Sequence, residues 1–363
     1  MLEKQLISLR QFKILVILFS LGSTILIVPS VFTAYAHQDG WISALLGIAI
    51  GGVLLFVYAA LGRRYPDHTL MEYSEFILGK WLGKCLAIIF YLYFFIIATL
   101  VLRNVGDFIT TIIMPETPIQ VIHFAFLLII MIGAGMGIEV IARAAEVFLP
   151  WVLLFICVLF GFLIPQIKFE RILPIYEASA KAIVHGSLSV LSIPYLEMVV
   201  FLMVFPAIQS KLKASKGFLQ AGFMGGTIIL LITILCIVVL GWDFTSRHTF
   251  PSYTLAKKIH IGTFVQRIEV LVAIIWFVTI YFKLVICFHS SLVGLSQILR
   301  LRTYRPFIVP SALVMFALAF IIYPNIVYFR DFTSHIWPPF ALTIGLFLPV
   351  CLLIVSYIRK AGK

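Results

Sequence analysis

The chain has 363 residues, of which 62% are hydrophobic and 12% are charged, and its formal net charge is +12. Soluble domains keep roughly a quarter of their residues charged, so this composition excludes a soluble globular protein and predicts one transmembrane domain over residues 1–363. The basic residues lie in short segments between apolar stretches, which is typical of the cytoplasmic loops of membrane proteins. We therefore expect a lipid bilayer around the chain and no nucleic-acid partner.

Ten apolar segments are long enough to cross a bilayer, for which a helix needs about 20 residues. They are 12–36, 41–62, 82–113, 120–138, 147–166, 183–207, 217–242, 267–298, 307–323 and 337–358. With the N-terminus inside, about twice as many basic residues lie in the inside segments as in the outside ones, so we expect both termini inside. Signal-peptide cleavage after the A-x-A tripeptide at 34–36 is the alternative for the first segment. Its apolar stretch is longer than a signal-peptide core of about 7–15 residues.

Five spans in each half make the second half begin on the opposite side of the membrane from the first. The sequence therefore predicts an all-α integral membrane protein with a 5+5 inverted repeat, the first repeat over about 12–166 and the second over about 183–358. In this class of transporter the first helix of each half is discontinuous near the middle of the membrane. Gly22-Ser23-Thr24 in span one and Pro194 in span six occupy corresponding places. Simple kinks are the alternative, but matching positions favour discontinuous first and sixth helices.

Four charged residues lie inside predicted spans and away from the span ends, where each costs about 2.5–3.5 kcal/mol on insertion scales and needs a partner or a function. Lys283 is in the middle of span eight, and Glu197 follows the break in span six. Lys283 either takes the place of a cation beside the break in span one or balances Glu197, and the two roles are compatible. Glu197 either receives a ligand amine or proton, or neutralises Lys283. Arg103 and Asp107, spaced i, i+4, are expected to form a structural pair near the outer end of span three.

Two connections are also predicted. Glu139, Arg143 and Glu146 are expected to form a solvated inner connection between spans four and five. The segment 243–266 is expected to carry a short amphipathic helix on the outer face.

Enzyme chemistry is not indicated by the sequence. GxSxG, HExxH, Walker A and GxGxxG motifs do not occur. The cysteines form no CxxC or Cys/His spacing, so we expect neither a metal site nor a disulfide framework, and no cofactor.

Several segments together resemble the B subunits of spore germinant receptors, a branch of the amino acid–polyamine–organocation transporter superfamily. The segments are SLGSTILIVPSVF, YPDHTLMEYSEFILGKWLGK, TPIQV, SIPYLEMVVFLMVFP, PSYTLAKKIHIG and QRIEVLVAIIW. Their order and spacing extend over essentially the whole chain.

The resemblance implies a germinant-sensing subunit in the inner membrane of a bacterial spore, with a larger A subunit and a lipoprotein C subunit as partners. It also implies a pocket for a small nutrient such as an amino acid among spans one, three, six and eight. Together with Thr24 and Pro194 at the breaks, the expected ligand-binding residues are Gly22, Ser23, Ile97, Leu196, Glu197, Lys283 and Cys287. A proton-coupled amino-acid permease with the same fold is the alternative, because fold alone does not separate the two functions.

Overall fold

The computed structural model describes residues 5–258 and 268–359. Apart from one isolated β-bridge, these residues form helices and their connections. The first half contains α1 Leu9–Leu21, α2 Thr24–Ala36, α3 Gly40–Arg64, α4 Leu70–Leu78, α5 Lys80–Phe108, α6 Ile119–Met136 and α7 Ile138–Leu163. The second half contains α8 Ala180–Val190, α9 Lys211–Leu235, α10 Trp242–Arg247, α11 Pro251–Lys257, α12 Glu269–Ile298, α13 Ile308–Ile321, α14 Ile326–Asp331, α15 Trp337–Ala341 and α16 Leu348–Ile358.

The two halves repeat the same order of elements. Each begins with an interrupted helix and continues with one long helix. One short helix in the first half and two in the second then precede the longest helix, of 29 residues in α5 and 30 in α12. Two further spans complete each half. The predicted all-α fold with an inverted repeat is confirmed.

Eight described segments are long and apolar enough to cross a membrane on their own. One of them, Thr24–Arg64, contains the second part of span one in α2 and span two in α3, because these helices are joined by a single turn at His37–Asp39. The helix α13 has 14 residues and is a shorter apolar helix. With α1 as the first part of span one, each of the ten predicted spans corresponds to a helical segment.

Both predicted interruptions are present, and they differ in kind. In span one, α1 ends at Leu21 and α2 begins at Thr24, with Gly22 outside helical geometry at φ −22° and ψ −97°. In span six, α8 ends at Val190 and the chain continues as a π-helix over Leu191–Tyr195 and a 3₁₀-helix over Glu197–Met203. Pro194 has no N–H to donate within this segment. Span six therefore changes its helix type, whereas span one is broken.

Span six lies at the centre of the bundle and span five at its edge. In the most apolar 18 residues of span six, within Ala180–Met203, 94% of the residues are buried. In those of span five, within Ile138–Gln166, 22% are buried. The exposed apolar side chains of the peripheral helices face the region where lipid tails replace water. The central position of span six brings its irregular backbone against the break in span one.

The inner face is defined here as the face that carries residues 5–8, α4, 207–210 and 299–306. The Ile7 amide donates to the Ala207 carbonyl at 2.8 Å, and the Arg359 guanidinium donates to the Ile77 carbonyl at 2.8 Å. Both ends of the described chain therefore lie on one face. A capping box begins α4, in which the Thr69 side chain accepts from the Glu72 amide and the Glu72 carboxylate accepts from the Thr69 amide.

The prediction of a solvated connection over 139–146 was wrong. The connection is Gly137, whose φ of +86° suits glycine, and α7 begins directly after it. Glu139 and Arg143 form an exposed pair within α7, while Glu146 pairs with Arg10 at 3.2 Å. One ion pair thus lies within the start of α7, and the other connects α7 with α1.

The outer segment predicted to hold one short helix contains two, α10 and α11. Most side chains of α11 are buried, and it packs against α2 and α12. The Ser252 hydroxyl donates to the Ile25 carbonyl at 2.6 Å. This segment is therefore a packed outer cover of span one over its described part, and residues 259–267 lie outside the described residues.

Candidate functional site

Lys283 of α12 packs directly against the break in span one. A Cβ atom added to Gly22 would lie 2.8 Å from Cδ and 3.0 Å from Cβ of Lys283. The lysine ammonium also lies 5.3 Å from the centre of the Phe19 ring. Because glycine has no side chain, position 22 leaves space for the side chain of Lys283. Lys283 is 0% exposed.

The ammonium of Lys283 forms an ion pair with Glu197, with 2.5 Å between Nζ and Oε2. Both side chains are almost completely buried. Apart from this contact, neither atom has a hydrogen-bond partner among the described residues. The pair joins the two irregular regions of the fold, because Glu197 begins the 3₁₀ segment of span six and Lys283 faces the break in span one. Of the two roles predicted for Lys283, the contact with Glu197 is the one observed.

A small central cavity lies beside this pair, between spans one, three and six and the segment Ile326–Ile358, whose later part is span ten. Its volume is about 30 Å³, enough for roughly one water molecule. It is lined by Ser23, Ile27, Ile97, Leu100, Val101, Asn104, Ile193, Glu197, Phe329, Phe332, Thr333 and Trp337. Three of the predicted site residues, Ser23, Ile97 and Glu197, are therefore brought together on one cavity.

The other predicted residues surround the cavity without lining it. Gly22, Thr24, Pro194, Leu196, Lys283 and Cys287 are all outside its lining. The carbonyl of Leu196 lies 3.3 Å from the Tyr58 hydroxyl, which also donates to the Gly345 carbonyl. Thr24 and Cys287 are each 0% exposed, and Cys287 is close enough to Glu197 and Lys283 to interact with both. These positions support the cavity wall.

The segment Ile326–Ile358, which begins before the predicted span ten, supplies four lining residues that the sequence analysis missed: Phe329, Phe332, Thr333 and Trp337. They lie on α14, on the π-helix Phe332–Ile336 and at the start of α15. The first three were missed because the predicted span ten began at residue 337, which left them in the connection after span nine. Asn104 was also missed, although a polar amide next to Arg103 in an apolar span was a usable signal.

The predicted pair of Arg103 and Asp107 is confirmed, with Nε 3.1 Å from Oδ1. Arg103 also donates to the Ala319 carbonyl at 3.1 Å, near the C-terminus of α13. The Tyr323 hydroxyl lies 2.6 Å from Asp107 Oδ2 and 3.0 Å from Asn104 Oδ1. This hydrogen-bond network connects span three with span nine, and its residue Asn104 lines the cavity.

A second, much larger cavity lies at the inner face. Its volume is about 950 Å³, and it is lined by the end of span six, α4, the N-terminal segment and the inner end of α12 with the following loop. His289 and Ser290 of α12 line it, and both are buried. The wide inner cavity and the small central cavity lie at different depths of the fold.

The fold is similar to those of two solved structures. MhsT in complex with L-phenylalanine matches with a TM-score of 0.70 and 12% sequence identity, covering 98% of this chain and 99% of that one. Mhp1, a nucleobase-cation-symport-1 family transporter in a closed conformation with bromovinylhydantoin bound, matches with a TM-score of 0.63 and 14% identity, covering 94% and 78%. At these identities the likeness concerns the fold alone.

Three spore germination proteins of Bacillus subtilis (strain 168) are similar in sequence. Protein KB is 28% identical over 100% of this chain and 97% of its own length, and protein YndE is 25% identical over 98% of each. Protein A2 is 24% identical over 92% of each. The family described as spore germination protein matches residues 6–327. This multi-pass membrane chain therefore belongs to the spore germination protein family.

Proposed function

We propose that the chain is the germinant-sensing membrane subunit of a spore germination receptor, and that it binds a small amino acid in the small central cavity. The observation that carries this proposal is the position of that cavity: Ser23 at the break in span one and Glu197 at the irregular part of span six line the same space. Family membership supports the germination role.

The two ends of an amino acid have matching groups at this position. The first amides of α2, which begins at Thr24, have no partner within the helix and lie at its positive end. They suit a carboxylate at the break in span one, as in other discontinuous-helix proteins. Glu197 suits the ammonium. Most other lining side chains are aliphatic or aromatic, so an apolar side chain fits best.

Ligand binding would compete with Lys283. Glu197 has only this one ionic partner among the described residues. A ligand ammonium at Glu197 would release the Lys283 ammonium beside the break in span one. Because the cavity holds about one water molecule, binding also requires spans six and ten to move apart. A change of packing between the two halves is the signal that we propose for partner subunits.

The partners that we propose are the A subunit and the lipoprotein C subunit, and the location is the inner membrane of the spore. Deleting the A- and C-type partners in spores should abolish germination triggered by amino acids. A full response with this chain alone would contradict the receptor assignment. We also propose that residues 1–363 form a single transmembrane domain.

The binding site is tested by filling the cavity. Ile97 is 1% exposed and lines the cavity, whereas Phe124 of α6 is 58% exposed. With the purified full-length chain in nanodiscs, Ile97→Trp should abolish binding of L-valine measured by calorimetry, and Phe124→Trp should leave it unchanged. Binding of L-valine by Ile97→Trp with wild-type affinity would show that the site lies elsewhere.

A proton-coupled amino-acid permease is the second candidate, and the inner cavity of about 950 Å³ favours it. Such a cavity is the shape expected of an inward-facing release route. Uptake of radiolabelled L-valine into proteoliposomes separates the two functions. Saturable accumulation that depends on a proton gradient would establish the permease, and binding without accumulation would establish the receptor.

A further inference from the structure

The inner end of span three is an elbow between two helices. Helix α4 ends at Leu78, Gly79 has φ +87°, and α5 begins at Lys80. A Cβ atom added to Gly83 would lie 2.4 Å from Cα of Glu75. The first turn of α5 thus packs directly against α4, and this contact sets which face of α5 points towards lipid.

The lipid-facing side of α5 is a stripe of exposed apolar residues that begins at the elbow with Trp81, which is 81% exposed. Its members recur at the spacing of one helix face. They are Trp81, Leu82, Cys85, Ile88, Ile89 and Leu92. Tryptophan at the end of such a stripe is typical of the boundary between acyl chains and headgroups.

Three cations lie at this boundary, and none has a carboxylate partner among the described residues: Lys80, Lys84 and Arg359. Lys80 and Lys84 are one helical turn apart on α5. Arg359, at the end of α16, donates to the Ile77 carbonyl of α4 at 2.8 Å. Its charge therefore lies beside the elbow on a neutral partner.

The carboxylates of α4 do not balance these charges, because both have other partners. Glu75 pairs with Arg300 at 3.4 Å, and Glu72 accepts from the Thr69 amide at 2.8 Å. The elbow therefore combines unbalanced positive charge with an apolar stripe. A phospholipid with an anionic headgroup is complementary to both.

We propose that this elbow is a binding site for an anionic phospholipid of the inner leaflet. Lys80, Lys84 and Arg359 bind the headgroup, and the acyl chains lie along the stripe that begins at Trp81. Lysine and arginine at a membrane surface attract anionic lipids, and the stripe adds contacts that a soluble anion cannot make. The site is separate from the central cavity and does not depend on the proposed function.

The experiment uses Trp81 as the reporter. The full-length chain is placed in phosphatidylcholine nanodiscs that contain a small fraction of a phospholipid brominated near the headgroup end of its acyl chains. Bromine quenches tryptophan fluorescence on contact. Brominated phosphatidylglycerol, which is anionic, should quench more strongly than brominated phosphatidylcholine at the same fraction. Trp81→Phe should remove this difference, because only the remaining tryptophans then report.

The lysines are tested by removing their charge. Lys80→Gln with Lys84→Gln should lower the apparent affinity for brominated phosphatidylglycerol by about 10-fold. The matched control is Lys213→Gln with Lys216→Gln, which removes the same charge from exposed residues in the first turns of α9. This control should keep the wild-type preference for the anionic lipid.

Three results would overturn the inference. Equal quenching of the wild type by the two brominated lipids would show that the elbow does not select anionic lipid. Equal loss of preference in the two double variants would show that the total charge of the inner face, and not the elbow, attracts the lipid. Displacement of brominated phosphatidylglycerol by inorganic phosphate would show that the elbow binds a free anion instead of a lipid.

Discussion

The two buried ion pairs of the spans have the same charges and different surroundings. Arg103 and Asp107 lie in one helix, and carbonyls of α13 and the Tyr323 hydroxyl complete their hydrogen bonds. Lys283 and Glu197 come from two different spans, are buried more completely, and have no further hydrogen-bond partner for the paired atoms among the described residues. The first pair is satisfied within the fold, and the second retains capacity for a new partner. The difference indicates which pair holds the structure and which can respond to a ligand.

The largest effect is expected from Lys283→Met. It leaves the Glu197 carboxylate buried without a cation, which costs about 5 kcal/mol of folding free energy at the upper end of measured losses. Thermal unfolding in detergent should report this loss, and germinant response in spores should be abolished at equal abundance. A normal response in Lys283→Met at normal abundance would remove the residue from the site.

The double variant Lys283→Met with Glu197→Gln separates stability from sensing. Replacing both charges removes the unpaired carboxylate, so most of the lost unfolding temperature and abundance should return. The response should stay absent, because the ligand ammonium has lost its carboxylate. Restored response in the double variant would show that Lys283 only balances Glu197.

A smaller effect is expected from Arg103→Met. Asp107 keeps the hydrogen bond from Tyr323, so the loss of folding free energy should be about 3 kcal/mol, at the lower end for a broken buried pair. The half-maximal ligand concentration of the folded protein should change by less than about 10-fold. Loss of stability together with complete loss of binding would contradict the separation of the two pairs.

Lys283→Arg keeps the charge and changes its shape. The planar guanidinium is larger than the compact ammonium, and the lysine chain already fills the room beside Gly22. Overpacking should cost about 2 kcal/mol, and the ligand response should recover poorly. A response equal to that of the wild type would show that only the positive charge is required.

The sequence was sufficient for the spans, the repeat and the breaks, because hydrophobic length and the position of Gly22 and Pro194 are local properties. It also predicted the Arg103–Asp107 pair from its i, i+4 spacing. The cavity lining from the segment Ile326–Ile358 could not be predicted, because packing between helices that are distant in the sequence decides which side chains face the cavity. The connection at 139–146 was wrong because one glycine with positive φ at 137 makes the turn, and charged residues can begin a helix as well as form a loop.

The smallest effect is expected from Gly22→Ala, which tests the contact between the Lys283 chain and the break. The added methyl group would meet Lys283 Cδ at 2.8 Å and Cβ at 3.0 Å, so the lysine chain must shift. Unfolding free energy should fall by about 1–2 kcal/mol, and the half-maximal germinant concentration should rise by about 5-fold as the Lys283–Glu197 contact is displaced. Gly161→Ala in α7 is the matched control, because nothing lies within 4 Å of its added methyl group. If both alanine variants give the same spore germination and thermal unfolding, the break in span one does not position Lys283. Only the surroundings of Glu197 would then distinguish the Lys283–Glu197 pair from the Arg103–Asp107 pair.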